Sequence, residues 1–160
     1  MLVQEPQRFR GNRHPTFDYL WTEGRVMSAR RVDFDWTVST EDGLTGEAGG
    51  DVQVLAMDKR GHRGKVLQVV NAYFQQVGEE GDYRPAERAL WDDILSDEDC
   101  VLAGDFNAHS TMWNPRCANR RDATSLENLT RAFDLRVLTD ERPTRPSDGL
   151  HSIIGLALAP

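Results

Sequence analysis

The 160-residue chain has no apolar run of membrane-spanning length. Its longest, residues 153–159, is interrupted by Gly155 and falls well short of the roughly 20 residues that a helical span requires, so no membrane segment is expected. The opening Met1-Leu2-Val3-Gln4-Glu5-Pro6 lacks the basic flank and apolar core of a secretion signal; it enters an apolar segment at once, as a chain beginning inside a strand would. Cysteine is scarce. Cys100 and Cys117 have no metal-ligand spacing to each other or to the four histidines, and without a secretion signal they are expected to be free thiols in a reducing, intracellular compartment. Positive charge is also in deficit, with 19 Lys and Arg against 26 Asp and Glu and a net charge of −7. That balance argues against the basic footprint by which a free-standing nucleic-acid binder offsets phosphate repulsion. It is compatible with carboxylates gathered around a divalent cation, which neutralises them. Internal repeats and low-complexity tracts are absent, and 39% hydrophobic residues over this length suffice for one core rather than two. Residues 1–160 therefore read as a single domain.

What is present reads as mixed α/β. Arg8 to Thr22 is irregular, although Phe17, Tyr19 and Trp21 alternate as a short strand would. Arg25 to Arg30 and Asp33 to Val38 are strand candidates, and the glycine-rich Glu41 to Gly50 reads as loop. Val52, Val54 and Ala56 alternate and Lys65 to Phe74 is β-branched and apolar, which predicts a hairpin across residues 59–64. Pro85 suits a first helical turn, and Ala86, Ala89, Leu90, Trp91 and Ile94 follow helical spacing, predicting a helix from 85 to 95. Cys100 to Ala103 is a short buried strand ending at Gly104-Asp105. Leu126, Leu129 and Phe133 share one face of a helix predicted over 125–133, followed by short strands at 136–138 and 152–158.

The chemistry concentrates in Val101-Leu102-Ala103-Gly104-Asp105-Phe106-Asn107-Ala108-His109-Ser110, a buried strand running into a turn that bears an acid, an amide and an imidazole. Alternate residues of an extended segment point to the same side, so Asp105 and Asn107 can reach one bound phosphate, the acid orienting or deprotonating a water and the amide donating to a phosphoryl oxygen. As an isolated tetrapeptide, Gly-Asp-Phe-Asn is equally an ordinary turn.

The wider context resembles the endonuclease/exonuclease/phosphatase superfamily, which has the deoxyribonuclease I-like fold. Gly-Asp-Phe-Asn looks like its GDFN motif, and the extension through Ala108-His109-Ser110 to Trp113 is most similar to the endonuclease domains of non-LTR retrotransposons. Three more segments match in the family's chain order. Gln4-Glu5-Pro6 resembles the early QEP motif, whose Glu is a Mg²⁺ ligand. Asn71-Ala72-Tyr73 resembles the N-x-Y strand, whose Tyr contacts the scissile phosphate. Pro143-Thr144-Arg145, with Ser152-Ile153-Ile154-Gly155-Leu156-Ala157-Leu158, resembles the late P-T … S-x-I-D-L-x-L segment. Singly, each has a bland alternative: Glu5 as a solvated carboxylate, Tyr73 as a core aromatic with its hydroxyl at the surface, His109 as a loop residue.

The resemblance implies a four-layer α/β/β/α sandwich with the site at the strand ends in the cleft between two sheets. It implies catalytic roles for Asp105, Asn107 and Tyr73, Glu5 as the Mg²⁺ ligand with Mn²⁺ able to replace that ion, and Asn71 and His109 as candidates for contact with phosphate or substrate. DNA nicking, action in the nucleus on genomic DNA, and a reverse transcriptase domain as partner in a polyprotein follow from the same likeness. The chain departs from the pattern where Gly155 stands in place of the S-x-I-D-L Asp, and neither the first Asn-bearing strand nor a terminal Ser-Asp-His is found in it. The expectation is a partial domain, lacking the first and last strands, with weak or lost catalysis. Two alternatives to a DNA-nicking enzyme follow: an inactive remnant of such a domain, and a phosphatase acting on a small phosphorylated molecule.

Overall fold

The computed structural model describes residues 2–4, 15–21, 24–44, 46–59, 66–75, 89–96, 99–117, 123–140, 145–146, 151–152 and 155–160. Glu5, the hairpin connection 60–65, the expected helix start at 85–88, Pro143-Thr144 and Ile153-Ile154 lie outside the described residues. Three strands, β1 (Leu2–Gln4), β2 (Phe17–Trp21) and β3 (Val26–Arg31), form a small antiparallel sheet in the order β1-β3-β2. A larger sheet contains β4 (Trp36–Thr40), β5 (Val52–Lys59), β6 (Val66–Tyr73), β7 (Cys100–Asp105), β8 (Arg136–Val137) and β11 (Gly155–Ala159), in the order β4-β5-β6-β7-β11-β8. A two-stranded ribbon pairs β9 (Arg145–Pro146) with β10 (His151–Ser152).

Alternation along the central strands sorts side chains to two faces. Val52 and Val54 of β5, Val70 and Ala72 of β6, Leu102 of β7, and Leu156 and Leu158 of β11 all join one buried apolar cluster with Ile94, Leu126 and Leu129 of the helices. The opposite face of the same strands meets the small sheet, with β1 and β3 packed over β5, β6 and β7. The order is therefore helices, large sheet, small sheet, in agreement with the α/β sandwich expected; among the described residues no helix covers the outer face of the small sheet. Between the sheets, an apolar cavity of about 380 Å³ is lined by Leu2, Phe17, Leu20, Leu55, Met57 and Val69 among others. The other end of the same interface, where β3 and β5 begin, is filled by polar groups.

The parallel pairing of β6 with β7 requires a long crossover, and the single-turn helix α1 (Trp91–Ile94) lies on it. The helix expected from 85 is thus confined, among the described residues, to Trp91–Ile94. Leu90, at φ −77° and ψ 67°, is not helical, and Ala89 reaches the core from the bend before it, satisfying the apolar spacing without a continuous helix. Helix α2 (Thr124–Ala132) matches expectation within a residue. It closes where Asp134 turns left-handed at φ 50° and Leu135 N donates to Thr130 O at 2.9 Å, a pairing that satisfies a carbonyl of the last turn.

Three other expectations shift. The strand expected at 33–38 runs instead from Trp36 to Thr40. Residues 41–50 are not simple loop but contain two 3₁₀ turns, Asp42–Leu44 and Gly46–Asp51, whose short i→i+3 bonds suit connectors and which bury Ala48. The last strand, expected as 152–158, is divided, with His151–Ser152 in the ribbon and Gly155–Ala159 in the large sheet.

Candidate active site

Three adjacent strands carry the candidate residues in one row. Tyr73 is the register partner of Asp105 across the β6–β7 pair, and Asp105 is the register partner of Gly155 across the β7–β11 pair. All three occupy the phase of their strands that faces the small sheet, opposite to Ala72, Leu102 and Leu156 in the apolar core.

Beyond Asp105 the chain makes a tight turn held by its own side chains. Asn107 N donates to Asp105 Oδ1 at 3.0 Å, an Asx turn that fixes the carboxylate plane. Asn107 adopts φ 45°, a conformation that asparagine tolerates better than most residues, and its Nδ2 donates to Phe74 O at 2.9 Å. Phe74 N in turn donates to Asp105 O at 2.9 Å. The end of β6 and the turn after β7 are thus locked to each other through both backbone and the Asn107 amide. Asp105 and Asn107, expected to act together, are brought together.

The other letters of the motif have packing roles. Phe106 is fully buried with its ring 5.2 Å from that of Phe74. Trp113 Nε1 donates to Ala108 O at 3.2 Å. The buried Ser110 hydroxyl donates to Glu127 of α2 and accepts from Met112 N at 3.0 Å, which ties the loop to the helix layer. His109, between these anchors, is half-buried. Gly104 is a glycine for a steric reason, since a Cβ there would lie 1.8 Å from Ala72 O on the neighbouring strand.

Asn71 belongs to a different part of the structure from the turn. It is fully buried, and its Nδ2 donates to Met27 O of β3 at 3.0 Å. It therefore bridges the two sheets. Beside it Ser28 Oγ donates to Gln53 Oε1 at 2.6 Å, and Gln53 Nε2 donates to Leu20 O at 3.2 Å, so these buried polar groups are mutually satisfied.

Sequence reasoning missed Arg25 and Asp51. Arg25 Nε and Nη2 donate to the two Asp51 carboxylate oxygens at 2.6 and 2.5 Å, a bidentate pair of the strong, charge-assisted kind. Asp51 is almost wholly buried; that burial raises its pKa, and the Arg25 guanidinium works against the rise. The Arg25 guanidinium carbon also stands 5.4 Å from the Tyr73 ring centroid. The available signals were faint: an arginine opening a strand, and an acid closing a glycine-rich run at another.

Glu5 lies outside the described residues, but Gln4 before it pairs with Val26, the residue after Arg25. Among the described residues no three His, Cys, Asp or Glu side chains cluster as a complete metal cage. The donors at the row, an Asp carboxylate and an Asn amide, are hard oxygen ligands. They suit Mg²⁺, which commonly keeps several waters and binds through one or two carboxylates plus substrate phosphate. Neither Cys100 nor Cys117 forms a disulfide, and the first is buried in the core.

The endonuclease-reverse transcriptase family matches residues 67–160, from β6 through the turn to β11. Among solved structures, the endonuclease domain of TRAS1, a telomere-specific non-LTR retrotransposon, is similar over 99% of this chain and 71% of its own, with a TM-score of 0.67 and 17% identity. That likeness establishes a shared fold. No curated protein matches.

Proposed function

The chain belongs to the endonuclease-reverse transcriptase family, and we propose that it is a Mg²⁺-dependent endonuclease domain that nicks DNA by hydrolysing a phosphodiester bond. The observation that carries this reading is the Asx turn at the end of β7, where Asp105 and Asn107 are fixed beside Tyr73. Asp105, with one carboxylate oxygen oriented by Asn107 N, takes the proton of an attacking water or aligns it. The Asn107 amide has two N–H donors; one holds Phe74 O, and the second donates to a phosphoryl oxygen. Tyr73, at the end of β6, offers its hydroxyl to the same phosphate. Glu5, with Asp105, would hold the ion, which when bound neutralises phosphate charge and eases departure of the 3′ oxygen. The product carries a 3′-hydroxyl, from which a reverse transcriptase domain of the same polyprotein would prime, and the place of action is the nucleus.

The test is conversion of supercoiled plasmid to open circles by the purified chain with Mg²⁺. Asp105→Ala should reduce the rate by about 10²-fold or more, and equal nicking by wild type and variant would overturn the reading.

Gly155 favours a second reading. Where the related pattern has an Asp beside the GDFN acid, this chain has no side chain directly across from Asp105, so the domain is a non-catalytic remnant that keeps the fold. Absence of Asp105-dependent nicking in Mg²⁺ and in Mn²⁺ is the outcome that this second reading requires.

A further inference from the structure

A polar post joins the two sheets immediately beside the candidate row, and four observations define it. Arg25 N donates to Gly50 O at 2.6 Å, tying the residue before β3 to the residue before Asp51. At Gly24 a Cβ would lie 1.8 Å from Gly50 Cα, so the two backbones touch there and only glycine fits. Asp51, with a side chain 5% exposed, receives both the Nε and an Nη of Arg25. The Arg25 side chain, 29% exposed, sets its guanidinium over the Tyr73 ring at 5.4 Å.

These contacts have a common consequence. An arginine on the surface is a mobile cation, but one held in a bidentate clamp by a buried carboxylate is a fixed plane. A planar cation set over an aromatic face attracts the ring quadrupole. Tyr73 directly precedes Phe74, whose carbonyl accepts from the Asn107 amide. The segment 73–74 is therefore held from the Arg25 side through the Tyr73 ring and from the Asn107 side through its backbone.

We infer that Arg25, clamped by Asp51, is a positioning residue that fixes the Tyr73 phenol at the Tyr73–Asp105–Gly155 row. It acts through the ring face and needs no contact with the reacting atoms. The effect on turnover rests on the nuclease reading above; the effect on the Tyr73 ring does not.

The experiment follows both. Tyrosine rings are ¹³C-labelled in the full chain, and the Tyr73 signals are assigned by their loss in Tyr73→Phe. The variants are Arg25→Lys, which keeps the charge but not the fork, and the charge-balanced double variant Arg25→Gln/Asp51→Asn, which leaves no buried carboxylate unpaired. In the double variant the Tyr73 ring signals should move while those of Tyr19 stay. Mg²⁺-dependent nicking should fall about 10–100-fold in kcat, the scale of a small misplacement of a reacting group, with KM changed less than about threefold; Arg25→Lys should recover part of both.

Tyr73 signals unchanged in a folded variant, by far-ultraviolet circular dichroism, would overturn the inference, and so would shifted signals with unchanged kcat in a nicking-competent chain. If the double variant fails to fold, Arg25→Lys decides by the same two readouts. A wild-type chain without Asp105-dependent nicking would refute the nuclease reading instead, and the ring signals would still decide whether Arg25 holds Tyr73.

Discussion

Gly155 lies directly across from Asp105 in the antiparallel pairing of β11 with β7. Cross-strand partners share a face, with Cβ positions about 4.5–5.5 Å apart, so any side chain placed at 155 would stand next to the Asp105 carboxylate. The sequence departure at this position thus falls at the candidate site itself and not at its periphery.

Gly155→Asp should create a like-charge pair that costs about 0.2–1 kcal/mol without metal. That corresponds to a drop of about 1–4 °C in Tm relative to Gly155→Asn for a domain of this size, and saturating Mg²⁺ should reverse it by neutralising the pair. Melts with and without Mg²⁺ test this; a Tm difference that Mg²⁺ does not narrow would show that the two carboxylates are not neighbours at an ion site.

Asn107 has two duties that substitutions separate. Asn107→Ala meets the left-handed backbone at φ 45° and leaves Phe74 O without its donor, for a loss of about 2–4 kcal/mol when the two effects are combined. Asn107→Gly removes only the bond and should be the more stable of the two. Urea titrations give the order, and Ala ranking above Gly would contradict the backbone assignment.

Gly104→Ala should cost about 3 kcal/mol or more, the upper range for an overpacked core. The added methyl would meet the Ala72 carbonyl at 1.8 Å, an obstacle made of backbone, and relief requires separating β6 from β7. Loss of the cooperative unfolding transition, or a large fall in its midpoint, is the expected result. A near-neutral change would mean that the two strands part easily.

Asp51 gives a pH signature. Its folded pKa is raised above the ordinary value of 3.8, with burial as the larger cause. Between that value and the folded pKa the native chain holds a proton that the unfolded chain has lost, so the contribution to stability is full below the unfolded pKa and declines as pH rises through the folded one. The stability of wild type relative to Asp51→Asn should therefore be greatest in acid and decline as pH rises above about 3.8. Denaturation midpoints of both proteins across that window measure it, and a difference that grows with pH would reverse the sign assigned to burial.

Local pattern made much of this chain legible. The alternation in Val52, Val54, Val70 and Leu102 located β5, β6 and β7, because a strand half-buried on each face must repeat every two residues. Leu126 and Leu129 located α2 by the corresponding helical period. The Gly-Asp-Phe-Asn turn was readable because an acid and an amide two apart at a strand end carry their chemistry within four residues. Periodicity misled at 89–90, where Ala89 reaches the core from a bend; a single apolar contact does not distinguish a bend from a helix. The pattern over 152–158 does not tell that Ser152 and Gly155 pair with different strands, β9 and β7, because pairing partners are not encoded locally.

By itself the sequence determined the central strands β5, β6 and β7, the main helix, the absence of a membrane-spanning apolar run, and the ancestry written in the motif, all of which depend on neighbours along the chain. Only the tertiary structure decided that Gly155 faces Asp105, that Asn71 bridges the sheets, and that Arg25 reaches both Asp51 and the Tyr73 ring. Those relationships join residues 26 to 50 positions apart, and no local rule encodes them. They are fixed by strand register and by the packing of one sheet on another, where a slip of a single residue would turn every side chain to the opposite face.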